Sequence, residues 1–193
     1  MKFDALIKNI NSVQHVLQAQ AAHAVNLSLT ARNWLVGFYI VEFEQHGEDR
    51  AEYGDNLLKR LAQRLNRRGL SERRLYEFRQ TYSVYPQLGE TIVEYIANNN
   101  HQNILRTLTA KLQVAENQEN KKLRTVTAKS QEESWKTPAD RLFYRLSASH
   151  LLYLSNIKEP LKRAFYEQEA IHGCWTVREL DRQVSRLFNK ELF

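Results

Sequence analysis

Arginine is the side chain that this sequence concentrates where chemistry could follow. In RRGLSERRLYEFRQ (67–80), five arginines surround a Gly-Leu-Ser turn. A guanidinium is always charged, and its planar fork suits the oxygens of a phosphate or the edge of a base. Residues 59 to 79 carry eight bases (Lys59, Arg60, Arg64, Arg67, Arg68, Arg73, Arg74, Arg79) against two acids, Glu72 and Glu77. That surplus of six equals the chain's whole net charge of +6. The basicity is therefore focal, and neighbouring phosphates need clustered cations. A second stretch, TVRELDRQVSRLFN (176–189), places Arg178, Arg182 and Arg186 at successive four-residue steps.

These side chains need helices to aim them. At ~100° per residue, Leu75, Phe78, Tyr82 and Tyr85 fall on one stripe, with Arg73, Tyr76, Glu77 and Gln80 opposite and Arg74 and Arg79 at the flanks. Ser71 is the expected N-cap of this helix, Gly69 the stop of the one before it, and Pro86 the stop after it. In the C-terminal stretch, Val177, Leu180, Val184 and Leu187 make the apolar stripe, and Arg178, Arg182, Ser185, Arg186 and Asn189 lie opposite. Thr176 and Glu179 have capping-box spacing. Each stretch reads as helix, glycine turn, capped helix, a helix-turn-helix-like outline. The competing reading of the first is a solvated helix with an Arg73–Glu77 pair.

The rest of the chain is also helical in pattern. Phe3, Leu6, Ile7, Ile10, Val13 and Leu17 predict a first amphipathic helix, and residues 30–45, with Trp34, Leu35, Phe38 and Phe43, a central core helix. Helices are expected over 55–68, 91–97, 103–115, 142–154, 161–171 and 177–190. Residues 116–138 are polar and weakly periodic, which predicts a mobile connection between an N-terminal part, 1–115, and a C-terminal part, 139–193. Only six Gly and three Pro punctuate 193 residues, so the fold class expected is mostly α.

Composition excludes several classes. A single cysteine, Cys174, rules out an intrachain disulfide and fits a reducing compartment. The N-terminus has no signal-peptide pattern, and the greasiest run, WLVGFYIVEF (34–43), is far short of the ~20 residues of a membrane span. The expectation is a cytoplasmic protein with no membrane partner.

Catalytic and metal-binding patterns are weak. Glu119-Asn-Lys121 matches Glu-x-Lys by letter but lies in the polar stretch, with no strand pattern, and Pro138-Ala-Asp140 follows it rather than precedes it. His172-x-Cys174 offers two ligands without a second pair. His172 reads as a helix-end residue, Cys174 as a small buried hydrophobe, and His150 as a core or hydrogen-bonding residue. No phosphate-binding glycine loop occurs. The residues point to no catalytic site, no metal and no cofactor. Tyr76, Tyr82 and Tyr85 could stack on bases, but at helical spacing near Phe78 most of them read as core, and Trp175 suits a staple before the Thr176 cap.

Four stretches carry a family resemblance: GFYIVEFEQHGEDRAEYGDNLLKRLAQRL, RGLSERRLYEFRQTYSVYP, ILRTLTAKL and SHLLYLSNIKEPLKRAFYEQEAIHGCWTVRELDRQV. In order they resemble the N-terminal domain of YhcG-like proteins, over most of residues 30 to 190. The family's members are bacterial proteins predicted to be nucleases. The resemblance implies a helical domain that binds DNA in a winged-helix or helix-turn-helix manner, followed by a PD-(D/E)XK nuclease domain that is expected to lie outside this chain.

Residues and resemblance together predict a non-catalytic DNA-binding module serving a nuclease domain in cis or in trans. The contacts expected are Arg67, Arg68, Arg73, Arg74, Arg178, Arg182 and Arg186 to phosphate, with Gln80 and Asn189 at base edges. The two arginine helices are expected to act on one anion. The rival is a helical module that forms a homo-oligomer or docks a nuclease partner.

Overall fold

Nothing between Phe3 and His46 stops a helix: the stretch has no proline, and QAQAAHAV (18–25) is rich in alanine, the best helix former. The computed structural model, which describes residues 2–47, 56–99, 104 and 135–190 (the last four without their side chains), accordingly shows one 44-residue helix, α1, Phe3–His46. Two helices were expected here because the apolar period lapses after Leu17. A lapse in burial is not a lapse in propensity. The chain divides into two units, Met1–Tyr82 and Ser83–Phe193, and all regular structure among the described residues is helical.

In the first unit, α1 is followed by α2, Leu57–Leu65, and α3, Glu72–Val84, whose last turn crosses the boundary. Asn66, not Gly69, ends α2: it takes the left-handed conformation at φ 41° and donates its N–H to Ala62 O. Asparagine tolerates that region better than most residues. Gly69, at φ 86°, instead makes the turn closed by Leu70 N–H to Arg67 O, where only glycine is at ease. Ser71 caps α3 as expected, accepting from Arg74 N–H at 3.4 Å.

Gly37 lets α3 approach α1 backbone to backbone. A Cβ there would run into the carbonyl oxygen of Phe78 and stand 2.9 Å from Tyr82 Cβ. Around this contact Trp34 and Phe38 stack at 5.9 Å, and the Tyr82 ring meets both edge-on, at 5.0 and 5.6 Å. The side chains buried along α1 all come from Leu27 onward; the apolar stripe before it is exposed.

The second unit holds α4 (Leu88–Asn98), α5 (Ala139–Arg145), α6 (Ala148–Leu154), α7 (Pro160–His172) and α8 (Val177–Lys190). α4 packs on α5, with Tyr95 edge-on to Phe143, and α5, α6 and α8 all pack on α7. α8 also rests on α6, burying Leu180 and Val184. The single helix expected over 142–154 is broken at Leu146–Ser147. Ser147 caps α6 by accepting from His150 N–H, while His150 Nδ1 accepts from Ser147 N–H.

The end of α7 shows a similar departure. Gly173 stays right-handed, and Cys174 takes the left-handed position at φ 48°. Trp175 N–H then reaches back to Ala170 O at 3.1 Å, the long bond of a Schellman turn. Cys174 is exposed there rather than buried as expected, because this turn points its residue outward. The helix expected over 103–115, apart from Ile104, and the polar stretch up to residue 134 lie outside the described residues. Of that stretch's last four residues, Thr137 is buried, and Trp135 O accepts from Gln168 Nε2.

Candidate nucleic-acid interface

α3 and the turn before it carry the first set of arginines. Arg67 and Arg68 are exposed in the 67–70 turn. Arg73 and Arg74 project from the first turn of α3, but both reach the same carboxylate: Arg73 Nε to Glu77 Oε1 at 3.0 Å and Arg74 to Glu77 Oε2 at 2.9 Å. Arg79 is half-buried, bonded to Glu44 of α1 at 2.7 Å and lying over the Tyr76 ring at 5.1 Å. Gln80 is half-buried and Tyr76 exposed. Leu75 and Phe78 hold the buried stripe expected of them. The solvated-pair reading thus has a real geometric basis on α3.

α8 disposes of its acids in another way. Thr176 N–H and Oγ–H both donate to Glu179 Oε2, at 2.7 and 2.9 Å, and Glu179 N–H returns a bond to Thr176 Oγ1 at 3.3 Å. The capping box inferred from spacing is formed. The Thr176 backbone N–H, more than any other group, holds the Glu179 carboxyl below its ordinary range. Asp181 accepts from Tyr153 O–H of α6 at 2.8 Å. Burial first, and then that carboxylate, pushes the Tyr153 phenol up to about 12. Both acids are therefore occupied by uncharged donors, while Arg178, Arg182 and Arg186 stand exposed on one face. The Asn189 side chain lies outside the described ones.

Tyr153 is the residue that sequence reasoning missed. It draws Asp181 toward α6, 28 positions away in sequence, and no local pattern announces such a pairing. Glu167 was missed too. It is buried on the Ala164–Ile171 face of α7, where it accepts from Tyr85 O–H at 2.8 Å, with Arg163 Nε at 3.8 Å. Burial chiefly, then the Glu167 charge, raises the Tyr85 phenol well above its usual value. Both line a hollow of about 810 Å³ with Trp135 and Thr137. A glutamate at helical spacing between apolar residues was the available signal.

His150 is buried. Its Nδ1 accepts from Ser147 N–H, which leaves Nε2 to donate to Trp175 O at 3.0 Å, so the ring is a structural fastener as expected. His172 and Cys174 border an open hollow of about 480 Å³ beside Arg141 and Arg145. Among the described residues, no group of three or more His, Cys, Asp or Glu is placed to hold a metal. No described helix is long and apolar enough to cross a membrane.

The chain can now be set beside known proteins. Residues 9–114 match the model of the DUF1016 N-terminal domain. The chain is also 30% identical over 195 residues to a protein of Escherichia coli (strain K12) named "Putative nuclease YhcG". That alignment covers 96% of this chain and 44% of the relative, so the chain spans less than half of that protein's length. No solved structure matches. With a family match over more than half its length and a relative at this identity, the chain belongs to the DUF1016 N-terminal domain family, as a YhcG-like N-terminal domain.

Proposed function

We propose that this chain is a non-catalytic module that binds nucleic acid, DNA foremost, and delivers to it a nuclease domain lying outside these 193 residues. The observation that carries this reading is the α8 face, where three exposed arginines form no ion pair among the described residues while the two neighbouring acids are hydrogen-bonded by Thr176 and Tyr153. The Arg182 charge still acts on Glu179, but cations that form no ion pair are the ones most available to displace counterions from a phosphate chain. The relative's name supplies the nuclease part of the proposal. In this reading Arg178, Arg182 and Arg186 position the backbone, Arg67 and Arg68 contribute at the other unit, and Arg73 and Arg74 contribute only after leaving Glu77. Gln80 and Asn189 are the base-edge candidates.

A gel-shift titration of the purified chain on duplex, junction and single-stranded DNA, and on RNA, at about 50 and 200 mM salt tests it. Retardation that weakens steeply with salt is expected. Absence of binding at the lower salt, or binding indifferent to salt, overturns it. The same preparation should leave every probe uncut in Mg²⁺. Cleavage abolished by Glu119→Ala would instead make the chain an enzyme.

A further inference from the structure

The N-terminal half of α1 carries a surface that the nucleic-acid reading does not use. Phe3, Leu6, Ile10, Val13 and Leu17 are spaced alternately three and four residues apart, and all are exposed, from 37% for Leu6 to 73% for Phe3. The same row continues through Gln20 and Ala24 to Leu27, Ala31 and Trp34, where the protein's own core covers it. One seam is thus buried at its C-terminal end and open for its first 20 residues. A three-four alternation averages 3.5 residues, the period at which a helix presents a continuous edge to another helix and supercoils with it.

We propose that this seam pairs with the same seam of a second copy of the chain, as a parallel, in-register coiled coil. Three features select that occupant. Apart from Lys2 at the very start, the rows flanking the open seam contain no Asp, Glu, Lys or Arg, and none of these occurs anywhere from Asn9 to Ala31. Two copies therefore meet without repulsion, and the flanks offer nothing by which a charged partner would be chosen. Gln20 is the one polar side chain in the open row. Opposite its own copy, its amide finds both a donor and an acceptor, whereas an apolar partner would leave it unsatisfied. The area is also sufficient. Seven exposed apolar side chains per copy (the five above with Ile7 and Val16), at roughly 60–120 Å² each, bury on the order of 1,200 Å² across a pair, the lower bound of a stable interface. The proposal is independent of nucleic acid, since it uses none of the arginines.

The test is the mass of the whole chain in solution without nucleic acid, by sedimentation equilibrium up to roughly 100 µM, where a micromolar dimer is nearly complete. A monomer–dimer equilibrium that does not weaken with salt is expected. Ile10→Glu with Leu17→Glu should be monomeric with unchanged far-UV circular dichroism, because both sites are exposed and glutamate favours helix. In a Cys174→Ser background, Val13→Cys should oxidise to a disulfide-linked dimer, since in-register seams bring the two thiols together. A monomeric wild type overturns the proposal. So does a dimer that survives the two glutamates, or a wild-type dimer whose Val13→Cys form does not cross-link.

Discussion

α3 and α8 both turn arginines away from an apolar stripe, yet among the described residues only those of α3 form ion pairs with carboxylates. On α3, Glu77 lies within a helical turn of Arg73 and Arg74 and takes both. On α8, Glu179 and Asp181 are equally close in sequence, but Thr176 and Tyr153 occupy them. The two helices are also anchored differently. α3 is held by backbone contact at Gly37, and α8 by its cap and by Leu180 and Val184 beneath it. Three arginines on each helix thus give unequal surfaces, because the placement of the acids decides which cations remain available.

The largest effect on this contrast should come from the anchor of α3. Gly37→Ala forces a methyl group against Phe78 O and Tyr82 Cβ, and overpacking of this kind costs about 1–3 kcal/mol. Urea denaturation should show the loss. An unchanged midpoint would mean that α3 is not held at this contact.

The anchor of α8 should give way more gently. Thr176→Ala removes the cap hydroxyl, at about 1 kcal/mol, and leaves the Glu179 carboxylate only the backbone N–H of residue 176, so it turns in part to Arg182 and nucleic-acid affinity should fall along with stability. Lost stability at unchanged affinity would show that the occupied carboxylate is irrelevant to binding.

The turn that places Thr176 depends on pH through His150, whose ring bonds Trp175 O. Burial, opposed by the Trp175 and Thr176 backbone, lowers the pKa of His150 from about 6.5. The folded state therefore prefers the neutral ring, and on acidification the unfolded chain takes up its proton first. This contribution is present above about pH 6.5 and is lost as the pH falls through the unfolded value toward the folded one. Thermal midpoints at pH 7.5 and 5.5 should differ more in the wild type than in His150→Gln. Equal differences would contradict it.

The smallest effect should be on α3 itself. With both guanidiniums on Glu77, Arg73→Ala and Arg74→Ala together should change the slope of log K against log[salt] by less than ~0.9, the value of one phosphate contact. A change near ~1.8 would mean that both arginines leave Glu77 for the nucleic acid, and the contrast between the helices would vanish.

The helix ends were largely legible in the sequence. Ser71, Thr176 with Glu179, and the stop after Val84 depend on neighbours within a turn, and local rules govern them. At the ends of α2 and α7 the left-handed residue is Asn66 or Cys174 rather than the nearby glycine, so composition put the stop of α2 too late, at Gly69, whereas α7 does end at Gly173. Burial was less legible. Periodicity identified the apolar stripe of Phe3 to Leu17 but could not say whether anything covers it. The character of the candidate interface was least legible of all, because Glu44 with Arg79 and Tyr153 with Asp181 meet only once the fold exists.

The central claim is that the α8 arginines neutralise phosphates, and the salt slope of binding tests it most directly. Replacing Arg178, Arg182 and Arg186 with alanine leaves Leu180, Val184 and the cap intact and favours helix. If each arginine contacts one phosphate, the slope should fall by about 2.7, at ~0.9 per contact, with affinity lost alike across sequences. A triple variant of unchanged helicity that keeps the wild-type slope would contradict the account.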